Sequence, residues 1–173
     1  MSKEYKENLK KKLDIKNVNA VPNIDSVVIT MWIWSMVTRK WHKDFEEFEK
    51  NLIQITGQKP RIIKAKQSIS NFKLREGMPV MLQSTIRKTK AIDFLDRFYK
   101  LVLPRVRDFD GISTRWFDNQ WNLSLGIKNY NIFPELWVDD VTIPMGIGIT
   151  IVTTSNKKEE SQTLLEELWF VFK

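Results

Sequence analysis

An α+β fold, with a mainly antiparallel sheet and helices packed on one face, is what the sequence predicts from three observations. Strand-like runs of β-branched and aromatic residues are interleaved with amphipathic helical stretches in the order α β α β β α β β α. The 173 residues, 42% hydrophobic and 28% charged, suit one soluble globular domain with a single substantial core. No fixed-period repeat or low-complexity linker divides residues 1–173.

Residues 2–13 place Tyr5, Leu9 and Leu13 one turn apart, which predicts a basic helix with a thin apolar stripe, able to dock on a sheet or lie against phosphates. Val21-Pro22 ends it. Residues 24–36 follow as a strand, with Trp32 and Trp34 on one face by the period of two. In DFEEFEKNLIQITG, Asp44 and Glu47 form a capping-box-like pair. Phe45, Phe48, Leu52 and Ile55 make one stripe, and Gly57 supplies the stop. Strands at 60–66 and 80–87 flank a polar connection, residues 67–78, whose length exceeds the usual hairpin loop of about 2–5 residues. Thr89 is expected to cap a helix with Ala91, Ile92, Leu95, Phe98 and Val102 inward, stopped by Pro104. Loops, strands near 122–127 and 144–154, and a helix at 157–168 complete the chain.

Charge is uneven. Residues 1–100 hold 21 basic and 11 acidic side chains, whereas residues 101–173 hold 7 and 10. Within residues 57–90, nine cations face the single acid Glu76, exceeding the +7 of the whole protein. Such a block is either a solvated basic face or the footprint of a polyanion such as nucleic acid. On the connecting loop, Phe72, Lys73 and Arg75 could stack on a base and clamp phosphates, or Phe72 could pin its own loop to the core.

Other chemistry is sparse. The absence of cysteine excludes disulfides and thiolate metal sites, and the one histidine, His42, has no partner to form a metal or catalytic pair. Gly146-Ile147-Gly148 lacks the third glycine of a dinucleotide fingerprint. The longest apolar run, residues 27–37, falls short of the roughly 20 residues a membrane-spanning helix needs. No signal sequence is expected, because the first 16 residues carry Glu4, Glu7 and Asp14. These features predict no catalysis, cofactor, metal, membrane or small-molecule substrate.

The stretches TGQKPRIIKAKQSISNFKLREGMPV, LPRVRDFDGIS, FPEL and ITIVTTS resemble, in order and spacing over nearly the whole chain, the signatures of the ribosomal protein L-five family of the large subunit, which carries 5S ribosomal RNA. The resemblance implies an L-five-like α+β fold with a basic RNA-binding half, residues 1–100, and a loop-rich inter-subunit bridge half, residues 101–173. It implies a structural role in the central protuberance, with ribosomal RNA (5S, large-subunit RNA or both), P-site transfer RNA, other large-subunit proteins and a small-subunit head protein as partners. Carried over by position, the ribosomal-RNA surface comprises Gln58, Lys59, Lys64, Lys66, Ser68, Thr85 and Arg87, with Arg61 and Lys88 from the same basic strands. The loop at 71–78 would face transfer RNA through Phe72, Lys73, Arg75 and Met78, and Arg105, Arg107, Asp108 and Phe109 would lie at the bridge.

The chain departs from the family pattern in three places. Thr30-Met31-Trp32-Ile33-Trp34 stands for a polar Asn-Met-Gly-Val-Gly turn, and residues 118–122 lose an arginine and two glycines. Residues 144–148 carry no charge where the family has Arg-Gly-Leu-Asp. With seven tryptophans, these changes suggest a diverged organellar member working on a mitochondrial ribosome, with plastid or bacterial cytoplasm as alternatives. The competing class is a non-ribosomal protein-interaction module that binds through its tryptophans and is solvated by its basic surface.

Overall fold

A computed structural model of the chain describes residues 3–40, 45–107, 109–136, 143 and 145–173. Five strands, β1 (Ile24–Trp32), β2 (Arg61–Lys64), β3 (Pro79–Arg87), β4 (Leu123–Ile127) and β5 (Ile147–Thr153), form one antiparallel sheet in the order β2-β3-β1-β5-β4. The helices are α1 (Lys3–Lys12), α2 (Trp34–Lys40), α3 (Glu46–Thr56), α4 (Thr89–Arg97) and α5 (Lys158–Glu167). The expected α+β class is therefore what the chain adopts, with α2 added to the expected order. Two compact units emerge, each drawing on both halves of the sequence: residues 1–27, 86–125 and 150–173, and residues 28–85 and 126–149.

In the first unit, Leu9 is fully buried and the Tyr5 hydroxyl donates to the Leu164 carbonyl at 2.8 Å. Burial, with Glu167 nearby, pushes the Tyr5 phenol well above its ordinary pKa. The apolar stripe of α1 thus docks on α5, where Lys12 also pairs with Glu167. Helix α4 buries Ala91, Phe94 and Leu95, then widens into a π-turn at Phe98–Val102 and tightens again at Leu103–Arg105. The widened turn buries Phe98 and Val102 together, and the Phe98 ring stacks 5.9 Å from Phe94. Thr89 is not the cap; Lys88 holds that place at φ 56°, with no side-chain hydrogen bond.

A buried polar knot organises the other end of this unit. The Trp121 carbonyl accepts from the Ser161 hydroxyl at 2.7 Å and the Thr153 hydroxyl at 3.2 Å, and Asn122 Oδ1 accepts the Thr153 N–H at 3.1 Å. Asp118 closes the turn before it by accepting from the N–H groups of Gln120 and Asn122, both at 2.8 Å. Burial acts to raise the Asp118 carboxyl, but the bonds from Asn122 and Gln120 outweigh it and hold the group below its ordinary pKa. Trp121 itself sits at φ 62°, a left-handed conformation that glycine adopts at less cost.

In the second unit α3 buries Phe48, Leu52 and Ile55 as its stripe predicts. Gly57 takes φ 67° and donates to the Ile53 carbonyl at 2.7 Å, a left-handed helix stop. Of the expected capping pair, Asp44 lies outside the described residues; the capping position is Phe45, without a side-chain bond. In the last residue of α3, the buried Thr56 hydroxyl donates to the Leu52 carbonyl at 2.7 Å and accepts from the Gln58 N–H at 3.2 Å and the Ser84 hydroxyl at 3.4 Å. This joins α3 to β3 through partners buried away from water.

The first strand is shorter than its composition suggests. It ends at Trp32, and residues 34–40 turn into α2. The Ile33 N–H donates to the Val80 carbonyl at 2.9 Å, so the chain leaves β1 at a fixed point. Trp32 and Trp34 consequently do not share a strand face.

Candidate nucleic-acid interface

Strands β2 and β3 pair antiparallel, with Arg61 opposite Gln83, Ile62 opposite Leu82 and Ile63 opposite Met81. The next pair is Lys64 opposite Pro79, so Val80 is the extra residue of a bulge. The bulge turns the Val80 carbonyl to the Ile33 N–H. Lys64 lies beside this irregularity, at the end of β2, and is exposed. Leu82, Ser84 and Ile86 are buried, whereas Met81, Gln83 and Thr85 are only half-buried. One face of the hairpin is thus core, and the other presents Arg61, Gln83 and Thr85, with Lys64 exposed where β2 ends.

Of the sequence-predicted RNA residues, Gln58, Lys59, Arg61, Lys64, Lys66 and Ser68 are all exposed in this unit. Lys59 stands 3.4 Å from Glu49, so part of its charge is compensated within the protein. The Gln58 backbone is occupied by Thr56 in the turn after α3, and the Ser68 hydroxyl accepts the Glu76 N–H at 2.9 Å, which helps shape the loop. Arg87 and Lys88, both exposed, continue β3 into the first unit. Gln83 is a position the sequence reading passed over. Its signal was present, since it alternates with Thr85 and Arg87, but its pairing with Arg61 needs the register.

The loop between the strands is closed by its own backbone. Ala65 donates to Met78 at 2.8 Å and Gly77 to Ala65 at 3.0 Å at its base. Ile69 and Leu74 exchange bonds of 3.0 and 3.1 Å, leaving residues 70–73 as a tight tip. The tip carries Lys73 at φ 54°, and Phe72, Lys73 and Arg75 are exposed. Phe72 keeps 55% of its surface in solvent while its ring meets the Trp34 ring at 6.1 Å and 77°. It therefore neither sinks into the core nor stands free. Met78 is half-buried and its sulfur accepts the Arg75 N–H at 3.1 Å, so it fastens the loop base.

At the far end of this unit's exposed face, Trp32, 54% exposed, borders an open groove of about 580 Å³ lined also by Ser35, Gly126, Lys128, Met145 and Gly148. The bridge residues lie in the first unit. Arg105 and Arg107 are exposed and Phe109 is half-buried, while Asp108 lies outside the described residues. Beside them the Ile112 N–H donates to Val171 at 2.8 Å, and Phe172 stacks on Phe117 at 5.7 Å. Among the described residues, no group of three or more His, Cys, Asp or Glu is placed to hold a metal ion, and no helix is long and apolar enough to cross a membrane.

Comparison with known proteins places the whole arrangement. Two family models match in tandem: "Ribosomal protein L5" over residues 17–75, and the model for the C-terminus of the same ribosomal protein family over residues 79–172. Three proteins named "Large ribosomal subunit protein uL5" are similar along nearly their full length. That of Natranaerobius thermophilus is 43% identical over 169 residues, 98% of this chain and 93% of its own. That of Syntrophotalea carbinolica is 43% identical over 164 residues, 95% and 88%. That of Brachyspira hyodysenteriae is 42% identical over 170 residues, 98% and 90%. All three relatives are bacterial. The exposed basic hairpin, its closed loop and the fold that carries them are thus those of a structural protein and not of an enzyme, and the chain belongs to the ribosomal protein L5 family.

Proposed function

We propose that this chain is a structural constituent of the large ribosomal subunit that binds ribosomal RNA, 5S or large-subunit RNA or both, in the central protuberance. The observation that carries this reading is the β2–β3 hairpin: one face is core, and the other presents Arg61, Gln83 and Thr85, with Lys64 and Lys66 exposed where β2 ends. Exposed cations on a rigid strand pair neutralise phosphates without first having to be ordered, while Gln and Thr offer bonds to ribose hydroxyls. The loop at 71–78 contacts P-site transfer RNA through Phe72, Lys73 and Arg75, with Met78 holding its base. Arg105, Arg107, Asp108 and Phe109 meet a small-subunit head protein, so residues 101–173 serve the bridge as residues 1–100 serve RNA.

Cosedimentation of the tagged chain with large subunits on a sucrose gradient tests the main reading. Recovery only in RNA-free protein complexes would favour the interaction module instead. For the loop, Lys73→Ala with Arg75→Ala should leave subunit assembly intact and lower transfer-RNA occupancy; normal occupancy excludes that contact. We place the ribosome in the mitochondrial matrix, on the bulky substitutions at 30–34 and 118–122. Fractionation of the host cell that finds the chain in cytosol or plastid would sink that assignment.

A further inference from the structure

We propose that Trp34 is a positioning residue that presents Phe72 to RNA; the inference rests on the reading of the loop at 71–78 as the transfer-RNA contact. An aromatic side chain on an exposed loop tip ordinarily samples several rotamers, and binding must then freeze one of them. Here the Phe72 ring lies 6.1 Å from the Trp34 ring at 77°, an edge-to-face pairing within the favoured range of aromatic contacts. Both partners are anchored to the start of β3. Ile33, next to Trp34, donates to Val80 at 2.9 Å, and the loop base is tied by Ala65 to Met78 at 2.8 Å. The tip cannot slide, because Ile69 and Leu74 are bonded to each other in both directions.

With one edge of the pair fixed in this way, 55% of Phe72 remains open to solvent. That is enough ring to receive an unpaired base or the face of a ribose. Lys73, held at φ 54° by the Ser70 carbonyl, stands beside it to meet the adjoining phosphate. Trp34 therefore acts through Phe72, by holding its ring in the orientation in which it binds.

The test uses the full chain and unmodified deacylated transfer RNA as the probe, at fixed salt. Phe72→Ala and Trp34→Ala should each weaken binding by about 2- to 10-fold, the range an aromatic pair sustains. The double variant should be no weaker than Phe72→Ala alone. Trp34→Phe should recover most of the loss, and the salt slope set by Lys73 and Arg75 should not change. Binding of a large-subunit RNA fragment, read in parallel, should stay at its wild-type value while the melting temperature falls by no more than a few degrees, which separates positioning from loss of fold. Full affinity in Trp34→Ala beside a weakened Phe72→Ala overturns the inference, as do losses that simply add or a fall in RNA-fragment binding. If Phe72→Ala itself binds normally, the loop reading fails and this inference falls with it.

Discussion

Replacing Arg61, Lys64 and Lys66 together by alanine should change the slope of RNA binding against salt, and not merely its strength. All three side chains are exposed, within six residues along β2 and the start of the loop after it. For about six phosphate contacts, log K should fall against log salt with a slope of about −4 to −5, at roughly 0.7 to 0.9 per contact. Losing three contacts halves this to about −2 to −3. Raising salt from about 50 to 200 mM would then cost the wild type about 300- to 2,000-fold in affinity and the triple variant only about 20- to 40-fold. Lys59 provides an internal control, because Glu49 already stands 3.4 Å from it. Lys59→Ala should flatten the slope less than Arg61→Ala, and Glu49→Gln should steepen it. Fluorescence anisotropy with a large-subunit RNA fragment at four salt concentrations reads all of these. A triple variant whose line runs parallel to the wild type, however far displaced, would refute phosphate neutralisation by this strand.

Other outcomes follow from local geometry. Lys88 holds φ 56° and ψ −133°, a conformation that costs a non-glycine residue about 1 kcal/mol or more, so Lys88→Gly should raise the melting temperature by a few degrees while lowering the RNA salt slope by about one unit. Gly148→Ala should destabilise by about 1–3 kcal/mol in urea unfolding, because the new Cβ would lie 2.7 Å from Thr30 Oγ1, and Thr30→Ala in that background should recover part of the loss. The depressed pKa of Asp118 means that its stabilisation is fully present above the unfolded value of about 4 and is lost as pH falls through the folded value. Wild type and Asp118→Asn should therefore differ in stability near neutrality and converge in acid; a constant gap down to pH 2, about two units below that value, would refute it.

Much of this fold was legible because its signals are local. The stripe of α3 and its Gly57 stop, the alternation along β3 and the inward face of α4 all follow from side-chain spacing. Residues 33–36 favour a strand by composition, but the Ile33 carbonyl accepts from the N–H groups of Met36 and Val37 at 3.0 and 3.2 Å and so opens α2. The bulge at Val80 leaves no mark in the sequence, because it is set by the pairing of two strands. Within the candidate site, charge density disclosed the cations but not their prior engagements. That Lys59 faces Glu49 and that Phe72 leans on Trp34 are facts of packing between residues ten or more apart, and the bond from Arg75 to Met78 depends on the turn of the loop base. The π-turn after α4 likewise leaves no periodic mark, because it shifts the inward face by a single residue.

The bonds that close the first unit have a consequence for how the chain is made. Tyr5 reaches Leu164, Asn23 reaches Thr154 and Ile112 reaches Val171, so this unit cannot close until residue 171 has left the exit tunnel. The β2–β3 hairpin joins Arg61 to Gln83 and needs no such wait. A nascent chain therefore displays its basic hairpin while Tyr5 and Leu164 are still apart. RNA that bound the hairpin at that stage would hold an unfinished protein, and, meeting the same hairpin before and after, would leave the closing of the first unit to that unit's own bonds.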